Sequence, residues 1–203
     1  MKPTAVAAEL FGTFVLALAV LVSISNAAFP VPTPVVAGLT LGLLVYTIGP
    51  ISGCHINPAV TIGLLSIGKT DAASAGAYIV AQLVGAFAAL GVGGMLLPTV
   101  AEVAAGNTAA IGLSELLGAS VFIFGIASVA LGRVPDAMAG VVIGGSLTLG
   151  ISFAAHASNG VLNPAVALGI GSFSLAYVWG PVAGGIVGAI LARALSDRAE
   201  APA

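Results

Sequence analysis

The chain has 203 residues, of which 59% are hydrophobic and only 6% charged. That much apolar surface cannot be hidden inside a soluble domain of this size, so the chain reads as an integral membrane protein. Five Lys+Arg against seven Asp+Glu leave no basic patch for nucleic acid, and a single cysteine, Cys54, excludes an intrachain disulfide framework.

Six apolar stretches have the length a spanning helix needs, roughly 20 residues for a ~30 Å hydrocarbon core. In chain order they cover about 5–25, 34–49, 72–97, 111–131, 138–155 and 175–195. The first is longer than a signal-peptide core and is read as a retained helix. Pro30/Pro32/Pro34, Gly49-Pro50, Lys69-Thr70-Asp71, the stretch 98–107, Gly132 to Pro135 and Gly171-Ser172 separate them. Two further apolar segments, 57–66 and 163–172, are about half a span each. Two half-spans entering from opposite sides and meeting in the middle would act as a seventh span, because non-helical backbone at that depth is tolerated where it lines a cavity.

Asn57-Pro58-Ala59-Val60 and Asn163-Pro164-Ala165-Val166 stand 106 residues apart, and Glu9/Glu115, Gly12/Gly118, Gly38/Gly144 and Gly63/Gly169 keep the same offset. The chain is therefore one domain, 1–203, built by duplication, with repeat 1 at about 1–98 and repeat 2 at about 107–203. Three spans per repeat is an odd number, so the copies are inverted. Lys2, Lys69, Arg133, Arg193 and Arg198 all fall in segments on one side of a six-span protein, which predicts cytoplasmic termini. Small-residue pairs such as Gly38/Gly42, Gly140/Gly144 and Gly180/Gly184/Gly188 suit close helix packing in lipid.

Asn is a preferred N-cap, and proline suits the first helical position. Two such starts meeting at the mid-membrane place two positive helix ends there. If each Asn oxygen caps its own helix, its NH2 group is left to donate into a lumen, where a water accepts from both and a cation is disfavoured.

These motifs, together with Ala8-Glu9-Leu10-Phe11-Gly12-Thr13-Phe14, the string from Ser52 to Gly63 and Ala81-Gln82-Leu83-Val84-Gly85-Ala86, closely resemble the aquaporin / major intrinsic protein family over nearly the whole chain. The resemblance implies an all-α membrane fold of six transmembrane helices plus two re-entrant half-helices in an inverted 3+3 repeat, the hourglass fold. It further implies a homotetramer with one pore per subunit, embedded in membrane lipid and passing water, glycerol or other small uncharged solutes without a cofactor or metal. Glu9, Glu115 and His55 match residues that support the re-entrant loops, and this role is expected rather than a proton relay. Gln82 and Pro181 match structural positions in the third and sixth spans.

The family also narrows its pore with four filter residues, one an arginine three positions after the second motif Asn. That position is Val166 here. Ungapped spacing puts the other three at Ala37, Ile151 and Gly160, giving a filter with no arginine, histidine or aromatic ring. Such a constriction should be wider and more apolar, since a guanidinium supplies both donors and a positive charge. Larger neutral solutes, weakly hydrated species such as gases or ammonia, and water with a weaker proton barrier all stay open. His156 is placed in the outer vestibule, and Cys54, the repeat partner of Gly160, in the inner one.

Three other functions compete. A coupled secondary transporter shares the inverted repeat, but the only carboxylates deep in spans are Glu9 and Glu115. A membrane enzyme would need a nucleophile–base pair or a metal-ligand cluster, and none is apparent, so no catalytic residue is assigned. A non-conducting structural tetramer would share the apolar filter. Short termini without transit features fit a prokaryotic inner or plasma membrane.

Overall fold

A computed structural model describes residues 2–199, with side chains as far as residue 196. The side chain of Arg198, one of the five basic residues in the charge asymmetry, therefore lies outside the described residues. Six long apolar helices are present: α1 (Pro3–Ile24), α2 (Thr33–Ser52), α4 (Ala72–Leu96), α5 (Ala109–Ala130), α6 (Ala139–Ala154) and α8 (Ala176–Ala199). Two short helices, α3 (Pro58–Ser66) and α7 (Pro164–Gly169), supply the half-spans, and a 3-10 turn at Asp136–Met138 leads into α6.

The starts follow the local chemistry. Asn57 and Asn163 cap α3 and α7, each Oδ1 accepting from the backbone N–H two residues on, at 2.8 Å from Ala59 and 3.0 Å from Ala165. Pro58 and Pro164 take the first helical position. Asp71 caps α4 by accepting from the Ser74 N–H at 2.9 Å, and Thr108 caps α5 through Ile111. The ends follow too. Gly68 and Gly171 adopt φ of 71° and 74°, and the N–H groups of Lys69 and Ser172 reach back to Leu64 O and Ala167 O at 2.9 Å each. The second half-span is shorter than the ten residues expected: α7 has six residues and α3 nine. Gly171 follows Gly68 by 103 positions rather than 106, so one helical turn is missing from the second copy.

Packing obeys the duplication. α1 lies on α4 as α5 lies on α8, and α1 on α2 as α5 on α6. The half-helices cross over, α3 packing on α8 of the other repeat and α7 on α4. Burial adds little drive in lipid, so backbone proximity matters more. At the α3–α8 crossing, Gly63 and Gly185 interlock: a Cβ on Gly63 would lie 2.8 Å from Gly185 O, and one on Gly185 would lie 2.6 Å from Ala59 O. We therefore expect Gly63→Val to lower stability by about 1–3 kcal/mol through overpacking, read as a lower melting temperature in detergent. The outer faces are apolar, with Leu39, Phe87 and Met95 all exposed.

Candidate pore and its supporting carboxylates

Between α2 and α3 the chain must turn back at the middle of the bundle, as it must between α6 and α7. Both turns use left-handed backbone at matching positions: Cys54 (φ 53°) and Ile56 (φ 41°) in the first, Gly160 (φ 63°) and Leu162 (φ 56°) in the second. Three of these four are not glycine, a conformation that costs about 1–3 kcal/mol each and persists only where surroundings impose it. The surroundings are carboxylates. Glu9, fully buried on α1, accepts from the N–H groups of His55 (2.9 Å, Oε1) and Ile56 (2.6 Å, Oε2), and from Ser52 Oγ (2.6 Å). Glu115 on α5 accepts from Val161 (2.9 Å), Leu162 (2.6 Å) and Ser158 Oγ (2.7 Å). Every donor in the second set stands 106 positions after its counterpart in the first. Left-handed residues turn successive N–H groups to one side, and each carboxylate fills the resulting nest.

The symmetry fails in one place. Glu9 also accepts from Gln82 Nε2 at 2.8 Å, whereas the matching position in the second repeat is Pro181, since Gly85 faces Leu10 O as Gly184 faces Leu116 O.

The two loops are joined tip to tip. Asn57 Nδ2 donates to Leu162 O at 2.9 Å, and Asn163 Nδ2 donates to Ile56 O at 3.0 Å. Each amide group was expected to be free for the lumen. Instead one hydrogen of each is spent on the opposite loop, and the other remains, because an NH2 group carries two.

A cavity of about 290 Å³ reaches from Asn57 and Asn163 to the end of the bundle that carries the α1–α2 and α4–α5 loops. Ala37, Ile151, Gly160 and Val166, four residues far apart in sequence, all line it, as does His55. Its remaining wall is mostly aliphatic, with Leu16, Val20, Leu41, Leu147 and Ile170, plus Phe122. Gly160 suits its place twice over, by its positive φ and because a Cβ there would lie 2.9 Å from Ile151 O. Cys54 is buried and His156 sits exposed on the turn after α6; neither is on the cavity wall.

Much of the wall was not named by the sequence reading, and two of its residues lie in loops. Asn159 and Val103 come from loops without a motif. Asn159 Nδ2 donates to Ala104 O (3.0 Å) and Ser172 Oγ (2.7 Å), and Ala101 N–H donates to Ser25 Oγ (3.0 Å), which straps the α4–α5 loop over the mouth. Long-range hydrogen bonds of this kind leave no local signature.

Six apolar spans, two capped half-helices joined at their tips, and a cavity that starts at the join define a membrane channel. A family model described as Major intrinsic protein matches residues 2–196. Aquaporin Z of Rhodopseudomonas palustris is 31% identical over 93% of this chain and 92% of its own length. Aquaporin NIP1-4 of Oryza sativa subsp. japonica is 35% identical over 95% of the chain and 78% of its own length. Among solved structures, the aquaglyceroporin from Plasmodium falciparum superposes with a TM-score of 0.75 at 23% identity, covering 96% of this chain and 95% of that one. The chain belongs to the major intrinsic protein family, and it is a passive channel for water and small solutes rather than an enzyme.

Proposed function

We propose that permeants pass between the tips of α3 and α7 and leave through a wide, apolar constriction formed by Ala37, Ile151, Gly160 and Val166, which admits water and small neutral solutes of the size of glycerol. The observation that carries this is the convergence of those four residues on one cavity whose floor holds Asn57 and Asn163. The free amide hydrogen of each Asn is the donor offered to a passing oxygen. A water held by both turns its own hydrogens away from the centre, which interrupts proton hopping. With valine in place of arginine at 166, exclusion of cations rests on this Asn pair and the positive ends of the half-helices.

On this reading Glu9 and Glu115 support the loops, and the aliphatic wall favours solutes that shed water cheaply. The basic residues Lys2, Lys69, Arg133 and Arg193 mark the cytoplasmic side, with both termini there. Arg193 donates to Ile67 O (3.2 Å) and Arg133 to Ala192 O (3.5 Å), which keeps two of these charges at one end of the bundle. The exposed apolar faces suit lipid and neighbouring copies in a homotetramer of the inner or plasma membrane.

Stopped-flow light scattering on liposomes carrying the purified protein tests the reading. A sucrose step should give shrinkage well above empty liposomes, and a glycerol step should give a fast re-swelling phase. Val166→Arg should slow the glycerol phase about tenfold, the factor for roughly 1.4 kcal/mol of added barrier, and slow water less. Wild-type rates equal to empty liposomes in both steps would sink it, and equal glycerol rates in wild type and Val166→Arg would remove Val166 from the constriction.

A further inference from the structure

The connection between α4 and α5, residues 97–108, joins the two repeats, so duplication supplies no copy of it at the other end of the bundle. It crosses the cavity mouth and is tied down at four points. Ala101 N–H donates to Ser25 Oγ at the end of α1 (3.0 Å), and Ala104 O accepts from Asn159 Nδ2 (3.0 Å). Further on, Gly106 O accepts from Ser174 Oγ (2.8 Å), and Asn107 Oδ1 accepts from the Ala176 N–H at the start of α8 (3.0 Å). α4 is capped by its own Asp71, whereas α8 takes this bond from the strap. The strap is thus fastened just past the point where α7 stops one turn short.

Asn159 is the central fastening. Its two amide hydrogens go to Ala104 O and to Oγ of the fully buried Ser172 (2.7 Å). Turning the amide over would set its oxygen against Ala104 O, acceptor against acceptor. Its backbone N–H donates to the hydroxyl of the buried Tyr177 (2.9 Å). Asn159 also directly precedes Gly160, so the strap and the constriction are positioned by adjacent residues.

Between the held residues Ala101 and Ala104 lie Glu102 and Val103. Glu102 is exposed, while Val103 is half-buried and lines the cavity together with Ala37, Ile151, Gly160 and Val166. Loops ordinarily move because little ties them, but Val103 is held on both sides. Its β-branched side chain is stiff as well, so its bulk stays where the backbone puts it.

We infer that Val103 is a specificity-determining residue, held at the cavity mouth by Asn159, and that it limits the size of the neutral solutes that reach the constriction. This rests on the pathway proposed above. The four constriction residues include no ring and no guanidinium, and the strap narrows what they leave wide.

Stopped-flow light scattering on liposomes carrying the full-length protein tests this, with glycerol and its longer homologue erythritol as the probes. Val103→Ala should raise the erythritol rate about tenfold, the factor for roughly 1.4 kcal/mol off the barrier, and the water rate far less. Val103→Phe should lower the glycerol rate by a similar factor. Asn159→Leu keeps the valine but releases the strap, and should admit erythritol as Val103→Ala does. A nitroxide spin label on Glu102→Cys reads the strap directly, since residue 102 is exposed and the native Cys54 is buried. Its motion should be slow with Asn159 present and fast in Asn159→Leu. Solute rates unchanged by both Val103 substitutions, in a wild type that passes glycerol, would overturn the inference and leave the pathway standing. A label equally fast with and without Asn159 would overturn the part given to Asn159. Wild-type liposomes that pass neither water nor glycerol would sink the pathway and the inference with it. If Asn159→Leu fails to fold, the two Val103 variants decide alone.

Discussion

Glu9→Leu should leave a protein that neither folds stably nor conducts. Leucine has a similar size but accepts nothing, and the N–H groups of His55 and Ile56 would be stranded in a buried turn. Each unsatisfied donor costs about 1–3 kcal/mol. Two of them, with left-handed backbone at Cys54 and Ile56 no longer compensated, consume much of the roughly 5–15 kcal/mol that holds a domain folded. Glu115→Leu should be damaging by the same route but less so, because Glu9 has a fourth donor in Gln82 and the matching position on α8 is Pro181, which has no donor to offer. The check is the melting temperature in detergent, followed by Trp179, the single tryptophan, with liposome water flux alongside. A Glu9→Leu protein with wild-type melting and flux would show that the carboxylate is not what shapes the loop.

The second large effect is expected from Asn57→Leu and Asn163→Leu combined. Each Asn does two things at once: it caps its own half-helix, and it bonds the loop of the other repeat. A lost cap costs about 1 kcal/mol, and each lost cross-loop bond about 1 kcal/mol more, so the pair should lose about 4 kcal/mol. The functional loss should exceed what stability explains. Both donors vanish from the cavity floor, and the wall becomes aliphatic almost throughout, which favours dewetting. Water permeability should fall close to that of empty liposomes in whatever protein remains folded. Either single substitution should keep part of the flow. If the double variant folds and conducts like the wild type, the Asn pair is not on the path.

Much of this arrangement was legible from residues alone, for reasons that differ element by element. The spans announce themselves because lipid forces about 20 apolar residues in a row. The half-helices do so because Asn-Pro is a helix start wherever it occurs, and twin copies at a fixed offset tie the two starts together. Glu9 and Glu115 stood out because a carboxylate in an apolar span needs partners. The partners themselves were not visible: nothing in Ser52-Gly53-Cys54-His55 says that its N–H groups will face one way, since that depends on the sign of φ at Cys54 and Ile56. The cross-loop bonds of the Asn amides were missed because each joins residues more than a hundred positions apart. The shorter α7 was hidden because apolar character continues past Gly169, and only the left-handed Gly171 reveals where the helix stops.

The bonds at the loop tips have one more consequence. Asn57 reaches the residue just before Asn163, and Asn163 reaches the residue just before Asn57. Reciprocity of that form is what a two-fold axis imposes on a pair of identical subunits, where a contact from i to j always comes with one from j to i. The two halves of the single polypeptide thus meet as two identical subunits would, through a contact with pseudo-two-fold symmetry. Covalent linkage holds the halves together without requiring them to be identical, so one carries His55, Thr61 and Gln82 where the other has Val161, Ala167 and Pro181.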